Sequence, residues 1–217
     1  GYLGERPPGL ITCDVVCHSI PSLRIFQEYI RSFERTQRGN AVRIMYRDKS
    51  SGWKYNKIAI YLEDGRVIRE WCGSHPYHSI YLAGLISRPS CKGCRYQRLS
   101  RISDITLADF WKYQGELSIE NGESGISLVV CSTEAGQELF NSASSQMVVE
   151  EVPVEQAVES CRHLTRPAPF HSLRRAFFAM SRIIGFMPAY RAYSVIRGTT
   201  VFLRRCRVRA CRALKGS

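Results

Sequence analysis

Residues 161–217 contain no aspartate or glutamate, against thirteen lysines and arginines. The net charge of +12 comes wholly from this end: of 31 basic and 19 acidic residues, the first 160 positions keep 18 and 19, a net of −1. The basicity therefore belongs to a tail and says nothing about the body. The sequence also lacks a GxGxxG turn and a P-loop, so flavin or nucleotide binding cannot be argued from a nucleotide motif. It has no long apolar run. Its longest uncharged stretch, Trp71 to Ser87, carries two histidines, a proline and several Ser and Gly, which excludes a membrane span there. No signal peptide, internal repeat or low-complexity tract is visible. There is no initiator Met, and Gly1-Tyr2-Leu3 reads as the middle of a helix, so a fragment without its N-terminal part is expected.

What is present is the composition of a globular protein, 44% hydrophobic with its aromatics spread along the chain. Nine cysteines, an odd number at uneven spacing without a secretory signal, argue against a disulfide framework. A reduced, cytoplasmic protein with a few ligating thiols fits better. Cys131 and Cys161 lie in apolar surroundings and read as small core residues.

Leu10 to Val16 reads as a buried strand ending at Cys17 and His18. Ser22 suits an N-cap, and Leu23, Phe26, Ile30 and Phe33 at 3- and 4-residue spacing predict an amphipathic helix. Val42, Ile44 and Tyr46 alternate as a strand that leads into a charged loop tipped by Trp53. Ile58 to Leu62, a turn at Asp64-Gly65 and Val67 to Trp71 predict a hairpin. Tyr77 to Ile86 reads as a helix ending before Pro89. Beyond Trp111 the pattern predicts strands at Gly125 to Cys131 and Met147 to Val152. Helices are expected at Glu134 to Asn141 and Val154 to Cys161. The expected fold class is α/β (mixed α+β): a mixed sheet with flanking helices and a basic, helical C-terminal tail.

Chemistry concentrates between Arg88 and Trp111. Cys91 and Cys94 stand two residues apart across Gly93, a spacing that can hold one metal centre or close a disulfide. Such a pair supplies two ligands where zinc or an iron–sulfur cluster wants four. The polar run Ser103, Asp104, Thr106 and Asp109 follows, with Asp104 and Thr106 on one face of a strand. Those residues suit hydrogen bonds to a flavin, or a solvated strand edge. Arg47 and Lys49 around Gly52 suit a phosphate-bearing cofactor, or an exposed loop.

Four segments taken in order resemble one family: Thr12-Cys13-Asp14-Val15-Val16-Cys17-His18, Arg47-Asp48-Lys49 with Gly52-Trp53, Arg88-Pro89-Ser90-Cys91 with Cys94, and Ser103 to Trp111. They are similar to the C-terminal domain of the coenzyme F420 hydrogenase/dehydrogenase beta-subunit family, in its bacterial, polysaccharide-cluster branch. The resemblance covers roughly residues 1–165 and leaves a basic tail at 166–217 outside. It implies an iron–sulfur flavoprotein oxidoreductase moving electrons between a 4Fe-4S cluster, FAD and a hydride carrier, coenzyme F420 among the candidates. By it, Cys17, Cys91 and Cys94 are cluster ligands, and the family's fourth ligand falls upstream unless Cys13 substitutes. It makes Arg47, Lys49, Asp104, Thr106 and Asp109 the cofactor-binding candidates. Ser19 and Ala108 stand where the family has glycine. The resemblance implies a ferredoxin-like electron donor protein, or the missing N-terminal segment, as partner.

The tail, with its arginines and aromatics, suits an anionic membrane surface at the inner face, a nucleic acid, or simple solvation. His18 is weighed as a proton-transfer group against a local hydrogen-bonding role, and no catalytic acid–base set is evident. Two other readings stay open: a zinc-stabilised binding module and an inactive, truncated remnant.

Overall fold

The computed structural model describes residues 7–53, 55–113, 115 and 125–198. The fold is mixed α/β, as expected. The described residues form two compact units, one within 7–20, 46–58 and 88–169, the other within 21–45, 59–87 and 170–198. In place of one mixed sheet, the described residues form two three-stranded sheets.

In the first unit β1 (Cys13–Val15) pairs parallel to β5 (Ile105–Asp109), and β5 pairs antiparallel to β6 (Ser127–Cys131). Cys13 lies opposite Ile105, and Ile105 opposite Cys131. A parallel pair needs a long crossover connection, which is why β5 finds its partner in a segment some ninety positions earlier. Helices α3 (Glu134–Ser144) and α4 (Val154–Ser160) follow β6, and Phe110, Leu128, Ala157 and Leu164 form the unit's buried core. Met147 to Val152, expected as a strand, forms none, and Val148 is exposed. A β-branched, apolar composition reports only that a segment would suit a sheet, not that an edge is there to receive it.

Asp104 ties this unit together. Its Oδ2 accepts from the backbone N–H of Thr12 (2.7 Å) and from the Thr12 hydroxyl (2.8 Å). Its Oδ1 accepts from the Thr133 hydroxyl (2.6 Å), which in turn accepts from Gly136 N–H and caps α3. Gly136 is required by this closeness: a Cβ there would stand 2.5 Å from the Asp104 carbonyl oxygen, a backbone atom that cannot swing aside. Gly136→Ala is therefore expected to lower stability by roughly 1–3 kcal/mol in urea unfolding. An unchanged midpoint would refute the contact.

The second unit begins with α1 (Leu23–Gln37), with Ser22 at its N-cap as expected. The buried stripe is Ile25, Tyr29 and Phe33; Leu23, expected inside, is exposed, and Phe26 and Ile30 sit at the rim. Strands β2 (Ala41–Asp48), β3 (Lys57–Leu62) and β4 (Val67–Trp71) run in the order β2-β3-β4, and the first unit takes the end of β2 and the start of β3. The Asp64-Gly65 turn forms as the sequence indicates, with Gly65 at φ 85°. Helix α2 (Pro76–Leu82) stops earlier than expected, because Gly84 turns to φ 70° and Ser87 then bridges to Pro21. At the chain's basic end α5 (Arg174–Ile184) breaks at Gly185, and a helix over 186–198, α6, follows. Phe177, Phe186, Ala189 and Tyr193 are buried, so these helices pack rather than trail in solvent.

Tyr29 and His75 meet inside this unit, with Tyr29 Oη 2.7 Å from His75 Nε2. His78 N–H donates to His75 Nδ1, which leaves the imidazole proton on Nε2 and makes His75 the donor to Tyr29. Burial, and secondarily the His78 charge, hold the His75 pKa at about 4, below the ordinary 6.5. The unfolded chain therefore binds the extra proton first as pH falls. Stability should drop between pH 6.5 and 4, by at most about 3 kcal/mol, and this group adds no further change below that. Urea melts across that range, beside His75→Gln, check it; an identical slope in the variant would clear His75.

Candidate functional site

Cys17 leaves β1 at its C-terminal side, and the short 3-10 turn Pro89–Gly93 delivers Cys91 and Cys94 beside it. Proline at the start of that turn and Gly93 at its end favour a tight bend over a longer helix. Burial on one side raises the Cys17 pKa, and the charges of Cys91 and then Cys94 raise it further. Cys91 and Cys94 are thus near enough for their charges to act on Cys17. Ile20 N–H donates to Cys91 Sγ (3.3 Å), the kind of backbone contact that stabilises charge on sulfur. Gln97 Nε2 donates to the Cys17 carbonyl (3.0 Å) and pins the loop.

Arg101 stands behind this group. Its side chain is 4% exposed, and its Nε donates to both Asp14 carboxylate oxygens (2.9 and 3.2 Å). Its charge opposes the rise at Cys17 and also acts on Cys161. Beside Cys17, His18 Nδ1 lies 2.9 Å from His163 Nε2, and His163 Nδ1 is buried with no hydrogen-bond partner among the described residues.

A second group forms where the loop after β2 meets the end of β5. Arg47 is bidentate on Asp109, and Trp53 Nε1 donates to Asp109 Oδ1 (3.3 Å). Trp53 stacks on Trp111 with ring centroids 4.3 Å apart, and the Arg47 guanidinium lies over the Trp111 ring at 5.4 Å. Gly125, at φ 79°, brings its backbone against the Trp53 indole, where any side chain would clash. Burial raises the Cys161 pKa, the Asp109 charge raises it further and Arg101 lowers it.

Two segments far apart in sequence, Arg47 to Trp53 and Ser103 to Trp111, are thereby brought together. Lys49 is exposed, and its carbonyl accepts from Gly52 N–H in the loop. Asp104 is fully buried with its carboxylate engaged by Thr12 and Thr133, and Thr106 is buried against Ser103. Both serve the fold here. Cys13 is exposed and its thiol donates to the Asp14 carbonyl. Arg101, His163, Trp53 and Trp111 were not named as site residues from the sequence, although both tryptophans stand at the ends of quoted motifs.

The family model for the C terminus of the coenzyme F420 hydrogenase/dehydrogenase beta subunit matches residues 6–157. The chain belongs to this family. The family domain takes in both groups described above except His163 and Cys161, and stops before α5 and α6. It is the family that the four motifs resemble. Among solved structures, a chain of the F420-reducing NiFe hydrogenase complex from Methanosarcina barkeri, studied as a xenon derivative, is 18% identical over 67% of this chain, with a TM-score of 0.35. The match covers 41% of that neighbour's length. No curated protein matches the chain.

Whether the residues suit the family's redox groups can be judged from their chemistry. Burial and then the charges of Cys91 and Cys94 raise the Cys17 pKa, a penalty that a soft cationic centre would relieve, because metal binding holds thiolates deprotonated. Among the described residues, no three His, Cys, Asp or Glu side chains converge closely enough to bind an ion as they stand. The donors fit in type and neighbourhood, and the closed coordination shell is not formed.

Proposed function

We propose that the first unit is the electron-transfer site of an iron–sulfur flavoprotein oxidoreductase. The observation that carries it is the Ile20 N–H bond to Cys91 Sγ, which ties the segment just after Cys17 to the Cys91–Cys94 turn within the family domain. Cys17, Cys91 and Cys94 would hold a 4Fe-4S cluster, with Cys13 or a group outside the described residues as fourth donor. When bound, a cluster carries electrons singly and a flavin exchanges them with a hydride carrier such as coenzyme F420. Ile20 N–H and the Arg101 guanidinium place positive potential beside sulfur and so favour the more negative, reduced state. A reduced, cytoplasmic setting and a ferredoxin-like donor protein belong to this reading, and the motif resemblance supports a role in polysaccharide biosynthesis.

Arg47, Lys49, Asp109 and Trp111 would hold FAD. The half-exposed Trp111 ring beside a guanidinium suits a planar, anionic ligand, and Lys49 supplies a cation not answered by Asp109. Trp111→Ala is expected to weaken FAD binding about tenfold in a fluorescence titration, the loss of roughly 1.4 kcal/mol of stacking and packing. Wild-type affinity in that variant would remove the tryptophan pair from the site.

Anaerobic purification with measurement of iron, acid-labile sulfide, zinc and visible absorption tests the whole reading. Iron and sulfide in cluster-like ratio support it. Zinc without sulfide would replace it with a zinc-stabilised module.

A further inference from the structure

The described part of the basic end lies outside the family domain and asks for a role of its own. On α5 the buried positions are Phe177 and Ser181, while Arg175, Ala179, Arg182 and Ile183 fall on the opposite side at helical spacing. On α6 the buried positions are Phe186, Ala189 and Tyr193, and Pro188, Arg191 and Val195 share the other side. The buried stripes meet: Phe177 contacts both Phe186 and Tyr193 at ring-centroid distances of 6.4 Å. The outward sides therefore combine arginines with branched aliphatics, Ile183 being 81% exposed and Val195 68%. No acidic residue occurs anywhere from 161 to 217 to answer those charges.

We propose that the outward sides of α5 and α6 dock the protein on an anionic lipid bilayer surface. Arginine beside exposed Ile and Val is the composition of an interfacial helix: the aliphatics enter the headgroup boundary and the guanidiniums pair with lipid phosphates. Charge complementarity selects this occupant, because a surface carrying Arg175, Arg182 and Arg191 on two helices without a carboxylate repels a basic partner and gives a neutral one no counterpart. No described helix is long and apolar enough to cross a membrane, so the contact is at the surface. The inference is independent of the redox reading, since neither thiols nor tryptophans take part.

The test is vesicle co-sedimentation of the full chain. Vesicles of phosphatidylcholine alone are compared with vesicles carrying about one-third phosphatidylglycerol. Binding to the anionic vesicles, weakened by salt, is expected. Arg175→Gln, Arg182→Gln and Arg191→Gln should each lose about fivefold in affinity, the worth of one basic residue near a charged surface. Ile183→Asn, which keeps every charge and touches no core, should also weaken binding. Circular dichroism confirms that each variant remains folded. Equal binding to both vesicle types, or none, overturns the proposal. So does an Ile183→Asn variant that binds like wild type, or arginine-dependent binding to a short DNA duplex without binding to vesicles.

Discussion

Cys91→Ser, purified anaerobically beside the wild type, is expected to lose iron, acid-labile sulfide and visible absorption together, by roughly tenfold or more. The serine oxygen is a hard donor and a poor one for iron bridged by sulfide. Replacing a direct ligand should cost at least what outer-shell changes cost, about 10- to 100-fold in metal retention. Cys91 is the informative choice because it receives the Ile20 N–H contact and acts on Cys17, whereas Cys94 shares only the second property. Cys131→Ser is the control. Its thiol lies half-buried on β6, outside the group of three, and its raised pKa comes from burial alone. Iron and sulfide at wild-type levels in Cys91→Ser would sink the cluster assignment; loss in both variants would reduce it to general instability.

Asp104→Ala should destabilise the chain by about 3–5 kcal/mol, a large share of the roughly 5–15 kcal/mol that holds a typical domain. The variant leaves the Thr12 N–H, the Thr12 hydroxyl and the Thr133 hydroxyl without their acceptor, a carboxylate that is itself fully buried although Thr133 is exposed. It also removes the side-chain tie that reinforces the backbone bonds of Asp104 and Ile105 to the Thr12 carbonyl, and loosens the cap of α3. Asp104→Asn keeps the shape but sets an NH2 group against a donor, so an intermediate loss follows. Urea unfolding of both variants measures this. A loss under about 1 kcal/mol in Asp104→Ala would mean that water or a shift of Thr12 replaces the carboxylate.

Most of the local structure was legible from residue order. The start of α1 at Ser22 (whose side chain makes no capping hydrogen bond), the β3–β4 hairpin around Asp64-Gly65, α3, α4 and the thiol motif depend on neighbours a few residues apart, and composition records them. Asp104 shows where that stops. Its polar neighbours in sequence made it look like a cofactor ligand, while its partners Thr12 and Thr133 lie 92 and 29 positions away and close only when β1, β5 and α3 assemble. Met147 to Val152 read as a strand and forms none. Arg101 was one basic residue among 31 until folding buried it on Asp14 beside Cys17. Local order was thus enough for the helices, the turns, the family and the set of thiols that could act together. Folding settled which polar groups are consumed in holding the chain, and that Arg47 meets Asp109 and Trp111, because burial and partners at long separation leave no trace in a local pattern.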